Sequence, residues 1–188
     1  MNSSHWGQLG WTMLNSIAWL FKEDQWLSER DARLVVAFVE AFGATLPCSF
    51  CRDSFAKIWA SEPWDARMII HRMDIVAGVH RLHNTVNLKL DKPLSNNYDN
   101  VVLNSAQCYE QLTTVFFVMC LVIVSSTNYL EQPFKRFYAL GAQLLQVEQA
   151  PEDASREYFA SRLLVTLAAN DERTSDQLVE WIQCLRVT

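Results

Sequence analysis

One helical face in residues 69–87, which read IIHRMDIVAGVHRLHNTVN, changes from apolar to polar along its length. Its residues recur at spacings of three and four, so they share one side of a helix. They are Ile69, Met73 and Val76, followed by His80, His83, Asn84 and Asn87. A plain core requires apolar residues throughout such a face, whereas a buried polar ligand requires hydrogen-bonding groups. We therefore expect a helix over about residues 64–90 whose last turns face a bound cofactor.

A dithiol, Cys48-Ser49-Phe50-Cys51, follows Pro47. Proline is favoured in the first turn of a helix, so a helix is predicted to start at Pro47 or Cys48. Free backbone N–H groups and the helix dipole would then favour a thiolate on the first sulfur. This spacing suits a redox pair, but half of a zinc site and a chance pairing in a buried helix would share it.

A zinc site would need ligands besides the two cysteines, and His80 and His83 are the candidates. About 28 residues separate Cys51 from His80, which is well beyond the usual spacing of zinc fingers. A thioredoxin-like site would instead require β-strands around the cysteine pair, and the sequence predicts none. The spacing therefore argues against both of these familiar types of Cys-x-x-Cys site.

Composition predicts an all-α protein with a buried core. Hydrophobic residues make up 50% of the 188 residues and charged residues 20%, while glycine and proline number five each. Long periodic stretches with few turn residues favour helices. The formal net charge is −5 and the basic residues are scattered. Since such a chain has no general attraction to a polyanion, we expect no nucleic-acid partner.

Neither a membrane span nor a secretion signal is predicted. The longest apolar run, residues 115–124, is about ten residues long, whereas a helix that spans a bilayer needs about 20. The first residues lack the basic and apolar regions of a signal peptide, which favours an intracellular protein. The five cysteines are an odd number and only Cys48 and Cys51 lie close together, which argues against a disulfide scaffold.

Apolar periodicity predicts helices along the whole chain. Ser28 and Asp31 resemble a capping box with aspartate in place of glutamate, so the second helix should start near Ser28. A turn-rich segment, residues 92–100, ends the first unit. We expect a core of residues 1–103 and a helical extension of residues 104–188 that packs on the core or forms an oligomer interface. Other helices are predicted over about residues 6–21, 104–126, 132–149, 151–170 and 175–185.

Three motifs, in this order, are similar to those of the Erv/ALR flavin-linked sulfhydryl oxidases. The first is Trp6-Gly7 with Trp11-Thr12-Met13-Leu14. The second is Pro47-Cys48-Ser49-Phe50-Cys51-Arg52, followed by Phe55. The third is HNTVNLKLDKP at residues 83–93, which matches the family's HNxVNxKLxKP pattern. The resemblance covers about residues 6–93, roughly half of the chain, and the order of three separate motifs makes it specific.

The resemblance implies a four-helix bundle that binds FAD, with the flavin ring against the Cys48–Cys51 disulfide. A thiolate of a substrate protein would attack Cys48 and release Cys51, which would reduce the flavin. Oxygen would then accept the electrons and give hydrogen peroxide. No metal is implied. The implied cofactor-binding residues are Gly7, Trp11, Asn15, His80, His83, Asn84, Val86, Asn87, Lys89, Leu90 and Lys92.

Individual roles follow from the same resemblance. Trp11 and His83 would contact the adenine moiety of FAD, and Lys89 and Lys92 would face its phosphate or ribose groups. Asparagines of the third motif would hydrogen-bond the cofactor; they are Asn84 and Asn87. Gly7 would allow the cofactor to approach the backbone closely.

The chain departs from the family pattern at several positions. Asn15 stands where the family commonly has a histidine, and His80 stands where many members have a cysteine of a structural disulfide. The remaining cysteines form no second Cys-x-x-Cys pair and are expected to be inert, buried thiols, so substrates should reach Cys48 directly. They are Cys108, Cys120 and Cys184.

The region after residue 104 resembles the added helical part of family members from large DNA viruses. We therefore expect a viral protein, located in the host cytoplasm or the virion, and a homodimer. Two other classes of protein remain open. One is a redox-inactive helical interaction protein that retains the fold, and the other is a zinc-binding module that uses the Cys-x-x-Cys pair with His80 and His83.

Overall fold

The computed structural model describes residues 3–23, 26–95, 112–151 and 153–170. These residues form an all-helical fold, which confirms the predicted fold class. The helices are α1 (Ser3–Ser16), α2 (Glu29–Thr45), α3 (Ser49–Ser61), α4 (Arg72–Lys89), α5 (Leu112–Ser125), α6 (Glu131–Leu145) and α7 (Arg156–Asn170). Two short 3₁₀ segments, Ile17–Leu20 and Ala66–Met68, follow α1 and precede α4.

The starts of α2 and α3 agree with the sequence-based prediction. Ser28 is the N-cap of α2, and its Oγ accepts a hydrogen bond from the backbone N–H of Asp31 at 3.1 Å. The Ser28 hydroxyl in turn donates to the Asp31 carboxylate at 2.7 Å. Cys48 is the N-cap of α3. Both caps satisfy backbone N–H groups that have no partner within the first turn of a helix.

The fourth helix starts later than predicted, at Arg72. The Asp65 carboxylate accepts the backbone N–H of Arg67 at 2.9 Å and caps a separate 3₁₀ turn. The Asp74 carboxylate then accepts the backbone N–H of His71 at 2.8 Å. These two carboxylates divide the predicted helix into two, because each one caps a separate helix start.

Two further boundaries also shift toward shorter helices. The C-cap residue of α6, Gln146, is left-handed with φ 55°, so α6 ends at Leu145 instead of near residue 149. The next helix begins at Arg156 instead of near residue 151. The predicted helix over residues 175–185, the predicted boundary at residue 103, Cys108 and Cys184 lie outside the described residues.

The described helices share one continuous hydrophobic cluster. Helix α1 packs against α4 and α5, while α2 packs against α3 and α6. The ring of Phe38 on α2 lies 5.2 Å from the ring of Phe137 on α6 and 6.4 Å from that of Phe116 on α5. Helices from the second half of the chain therefore cover the inner face of α2.

Helix α5 is the most apolar of the described helices, and nine of its 14 residues are buried. Its Cys120 is fully buried, and this burial raises the pKa of the thiol well above its usual value. Among the described helices, none combines the length and the apolar character needed to cross a membrane. The homodimer and the viral origin stay predictions.

Candidate active site

A cavity of about 910 Å³ opens between α1, the start of α3 and the end of α4. Its volume lies within the range of about 300–1,000 Å³ that is common for ligand-binding sites. All but two of the residues predicted for the site line it. They are Gly7, Trp11, Asn15, Cys48, Cys51, His83, Val86, Asn87, Lys89, Leu90 and Lys92.

The other two predicted residues, His80 and Asn84, hold the segment after α4 and do not line the cavity. The side-chain amide of Asn84 donates to the carbonyl oxygen of Ser95 at 3.2 Å and accepts the Ser95 N–H at 2.9 Å. His80 Nε2 donates to the same carbonyl at 2.8 Å. Because Ser95 itself lines the cavity, these two side chains shape its rim.

The aromatic wall of the cavity is a stacked pair. The rings of Trp11 and His83 have centroids 4.1 Å apart and planes inclined by 14°. Burial, together with charge on His80 and Lys92, lowers the pKa of His83. The imidazole is therefore held neutral at pH 7 and presents a flat, uncharged surface beside the indole.

Three buried polar atoms on α1 have no hydrogen-bond partner among the residues that the structure describes. They are Nε1 of Trp6, Oδ1 of Asn15 and Oγ of Ser16, and all three residues line the cavity. Buried polar groups are rarely left unpaired, since each one costs about 1–3 kcal/mol. A ligand with both donors and acceptors, seated along α1, would satisfy them. The sequence does not mark Trp6 and Ser16 as site residues, because Trp6 reads as part of an apolar stripe and Ser16 belongs to no motif.

The backbone near Gly7 leaves room for such a ligand. A Cβ atom built at Gly7 would meet nothing within 4 Å. Gly10, one turn further on, is different, because its Cβ would lie 2.8 Å from Cζ of Phe42. Gly7 therefore faces open space in the cavity, while Gly10 serves the packing of α1 on α2.

Cys48 and Cys51 are free thiols at the start of α3. Cys48 has extended backbone angles, φ −107° and ψ 120°, and its Sγ accepts the backbone N–H of Cys51 at 3.2 Å. Burial raises the pKa of Cys51 to about 12, with further contributions from the hydrogen bond to Cys48 and from the charge on Cys48. Lys89 and Arg52 act in the opposite direction and lower that pKa.

Lys89 links the end of α4 to the start of α3. Its Nζ donates to Oγ of Ser54 and lies 5.0 Å from the ring centroid of Phe50. Phe50, the second residue between the cysteines, is 66% exposed and borders the cavity. Ser54 and Phe50 were not singled out from the sequence, because only the folded chain brings Lys89 to them. The arrangement places an exposed apolar ring and a cation beside the dithiol.

The described residues hold no group of three or more histidine, cysteine or acidic side chains that could bind a metal ion. Nε2 of His80 hydrogen-bonds to the carbonyl oxygen of Ser95. The structure therefore does not support a zinc site that combines His80 with Cys48 and Cys51.

Comparisons with known proteins point to one family. Residues 8–107, which are 100 of the 188 residues, match the model of the Erv1/Alr family. The match contains the dithiol and every residue of the cavity from Gln8 to Ser95. No curated protein and no solved structure matches the chain.

Proposed function

Since the chain belongs to the Erv1/Alr family, we propose that it is an FAD-dependent sulfhydryl oxidase that forms disulfides in protein thiols. Membership of this family supports a thiol oxidase type of function. The observation that carries the finer proposal is a single cavity that both the dithiol and the stacked Trp11–His83 pair line. A redox-active disulfide and an aromatic cofactor need such a common site.

The residues of the cavity fit FAD in several respects. Its size is sufficient for a large cofactor, and the Trp11–His83 pair offers an aromatic surface. The unpaired atoms on Asn15 and Ser16 need hydrogen-bonding partners of the kind that a nucleotide cofactor carries. Lys92 adds a positive charge at the rim, which suits a phosphate. When bound, FAD supplies the two-electron oxidant that restores the disulfide, and O2 takes those electrons to give hydrogen peroxide.

The protein's own chemistry is thiol–disulfide exchange at Cys48. A substrate thiolate attacks Sγ of Cys48 in the oxidised pair, so a substrate–Cys48 bond forms and the Cys48–Cys51 bond breaks. Cys51 leaves with the electron pair of the broken bond. A second substrate thiolate then attacks the substrate sulfur of the mixed disulfide and releases Cys48. The substrate has then lost two electrons and holds a disulfide, while the pair is reduced.

The cause of the raised Cys51 pKa supports this division of roles. Two of the three contributions that raise it come from Cys48, through its hydrogen bond and its charge. Both require a free Cys48 sulfur, so neither acts while Cys48 is bound to a substrate. Lys89 and Arg52, which lower the pKa, remain in place. The pKa of Cys51 is therefore lower while Cys48 is bound to a substrate than in the reduced pair. This is the stage at which Cys51 must leave as a thiolate.

The test is an assay of the purified protein reconstituted with FAD. We expect a flavin absorption band that remains after gel filtration, oxygen consumption with dithiothreitol, and formation of hydrogen peroxide. Cys48→Ser and Cys51→Ser should each abolish oxygen consumption, while Ser49→Ala, at an exposed position between them, should retain it. A protein that binds no flavin, or a Cys48→Ser variant that still oxidises dithiothreitol, would refute the proposal. The redox-inactive alternative predicts no oxygen consumption.

A further inference from the structure

The carbonyl oxygen of Pro47, directly before Cys48, is held by two side chains from the far half of the chain. Ser126 Oγ donates to it at 3.1 Å and Asn128 Nδ2 at 3.2 Å. Both residues lie in the turn after α5, beyond the segment that matches the family. Ser126 is 1% exposed, so its hydrogen bond is shielded from water.

Arg52 ties the same turn to the same stretch of backbone from the other side. Its Nη1 donates to the carbonyl oxygen of Leu46 at 2.6 Å and to that of Asn128 at 3.2 Å. Arg52 follows Cys51 directly on α3. The backbone of residues 46–47 is therefore fixed both by the Arg52 side chain of α3 and by the turn after α5.

The turn is itself anchored. The backbone N–H of Asn128 donates to Ser126 Oγ at 3.1 Å, so this hydroxyl accepts one bond and donates another. Arg156, the first residue of α7, donates from Nε to the carbonyl of Val124 at 2.7 Å and from Nη2 to that of Ser126 at 2.8 Å. Its guanidinium also lies 4.9 Å from the ring centroid of Tyr129. A turn held in this way can transmit the rigidity of the bundle to Pro47.

The Pro47 carbonyl matters because it shares a rigid peptide plane with the backbone nitrogen of Cys48. A fixed carbonyl direction limits the backbone angles of Cys48. The extended N-cap conformation of Cys48 is the one in which its Sγ accepts the N–H of Cys51. Hydrogen bonds from a helix N-terminus favour the thiolate, which is the reactive form of cysteine.

We propose that Ser126 and Asn128 are positioning residues for Cys48, and that the segment after α5 holds the reactive sulfur in its N-cap geometry. The inference rests on the proposed role of Cys48 as the sulfur that substrates attack. It gives the C-terminal helices a part in the reaction that their sequence does not indicate. Each side chain hydrogen-bonds to the carbonyl oxygen of Pro47 and acts on Cys48 through it.

The test is the rate at which iodoacetamide alkylates Cys48 in the reduced protein, measured by peptide mass spectrometry and divided by the alkylation rate of N-acetylcysteine in the same sample. In the double variant Ser126→Ala/Asn128→Ala we expect this rate ratio to fall by about three- to tenfold, because the Cys48 sulfur loses its fixed hydrogen bond. The matched control is Ser125→Ala/Thr127→Ala, which alters the exposed neighbours of Ser126 at the end of α5 and in the turn, and should leave the ratio unchanged. A ratio equal to that of the control, or higher, would overturn the inference.

A second variant covers the case in which the double variant does not fold. Asn128 is exposed, so Asn128→Ala should keep the fold, and it should lower the ratio about two- to threefold relative to Thr127→Ala. Equal ratios in these two folded variants would overturn the inference as well. The measurement needs neither flavin nor oxygen. If the wild-type protein consumes no oxygen, the proposed function fails, while a lowered alkylation ratio still supports the positioning of Cys48.

Discussion

Trp11 and His83 stack face to face across the contact between α1 and α4, with ring centroids 4.1 Å apart. The Trp11 ring comes from the first motif of the sequence and the His83 ring from the third. Their contact joins two helices that line the cavity, and it forms the aromatic surface on which the proposal of a flavin cofactor partly rests.

Replacement of His83 by alanine should weaken FAD binding about tenfold and lower the free energy of unfolding by about 1 kcal/mol, since a stacked pair contributes about 0.5–1.5 kcal/mol beyond its buried area. Titration of the apoprotein with FAD and urea unfolding measure the two effects. The control is His71→Ala, whose ring meets Trp26 edge-on at 5.6 Å and does not line the cavity. Equal FAD affinities of the two variants would contradict the prediction.

The titration of Cys51 should depend on Cys48. In Cys48→Ala the hydrogen bond and the charge that raise the Cys51 pKa are both removed, so this pKa should fall below its value of about 12. In Lys89→Met a contribution that lowers the pKa is removed, so it should rise. The alkylation rate of Cys51 as a function of pH, read by mass spectrometry, gives the direction of each change. A shift in the same direction in both variants would be inconsistent with these causes.

Acidification should destabilise the fold through His83. Burial holds the pKa of this histidine below its usual 6.5, so the unfolded chain takes up a proton before the folded protein does. The contribution of neutral His83 to stability is therefore complete above pH 6.5 and is lost as the pH falls through the folded-state pKa. Urea unfolding between about pH 7 and pH 5 should show a smaller loss of stability in His83→Gln than in the wild type. Identical losses would argue against this origin of the acid sensitivity.

Two glycines should respond in opposite ways to alanine. At Gly43 a Cβ atom would lie 2.0 Å from the ring of Phe55, so Gly43→Ala should force α2 and α3 apart and cost about 1–3 kcal/mol of stability. At Gly7 nothing lies within 4 Å, so Gly7→Ala should be neutral or stabilising in the absence of cofactor. If FAD approaches the backbone there, Gly7→Ala should still weaken its binding. Thermal unfolding and FAD titration of the two variants separate these effects.

Local signals in the sequence predicted the start of two helices correctly. Ser28 and Cys48 each carry a side chain that caps the next turn, and a cap depends on residues only two or three positions away. The start of α4 was missed for a similar local reason. Asp65 and Asp74 each cap a helix start, and the apolar period of residues 69–87 gives no sign of the break between them.

The apolar periodicity of the sequence could not predict long-range contacts. His80 and Asn84 share a face with His83, but the segment after α4 folds back so that Ser95 takes their hydrogen bonds. Lys89, which is predicted to face a phosphate or ribose group, lines the cavity and also lies against Ser54 and Phe50, two contacts that the pattern does not indicate. A pattern along one helix predicts which residues share a side. It does not predict which of these residues will hydrogen-bond to, or pack against, another segment of the chain.

The shared core of α2 and α6 has a consequence for anyone who wishes to shorten this protein. The segment that matches the family ends at residue 107, whereas the rings that cover Phe38 lie on α5 and α6. A fragment trimmed to the matched segment would present Phe38 and its neighbours to water, and we expect it to aggregate. We therefore expect the unit that folds to extend beyond the segment that matches the family.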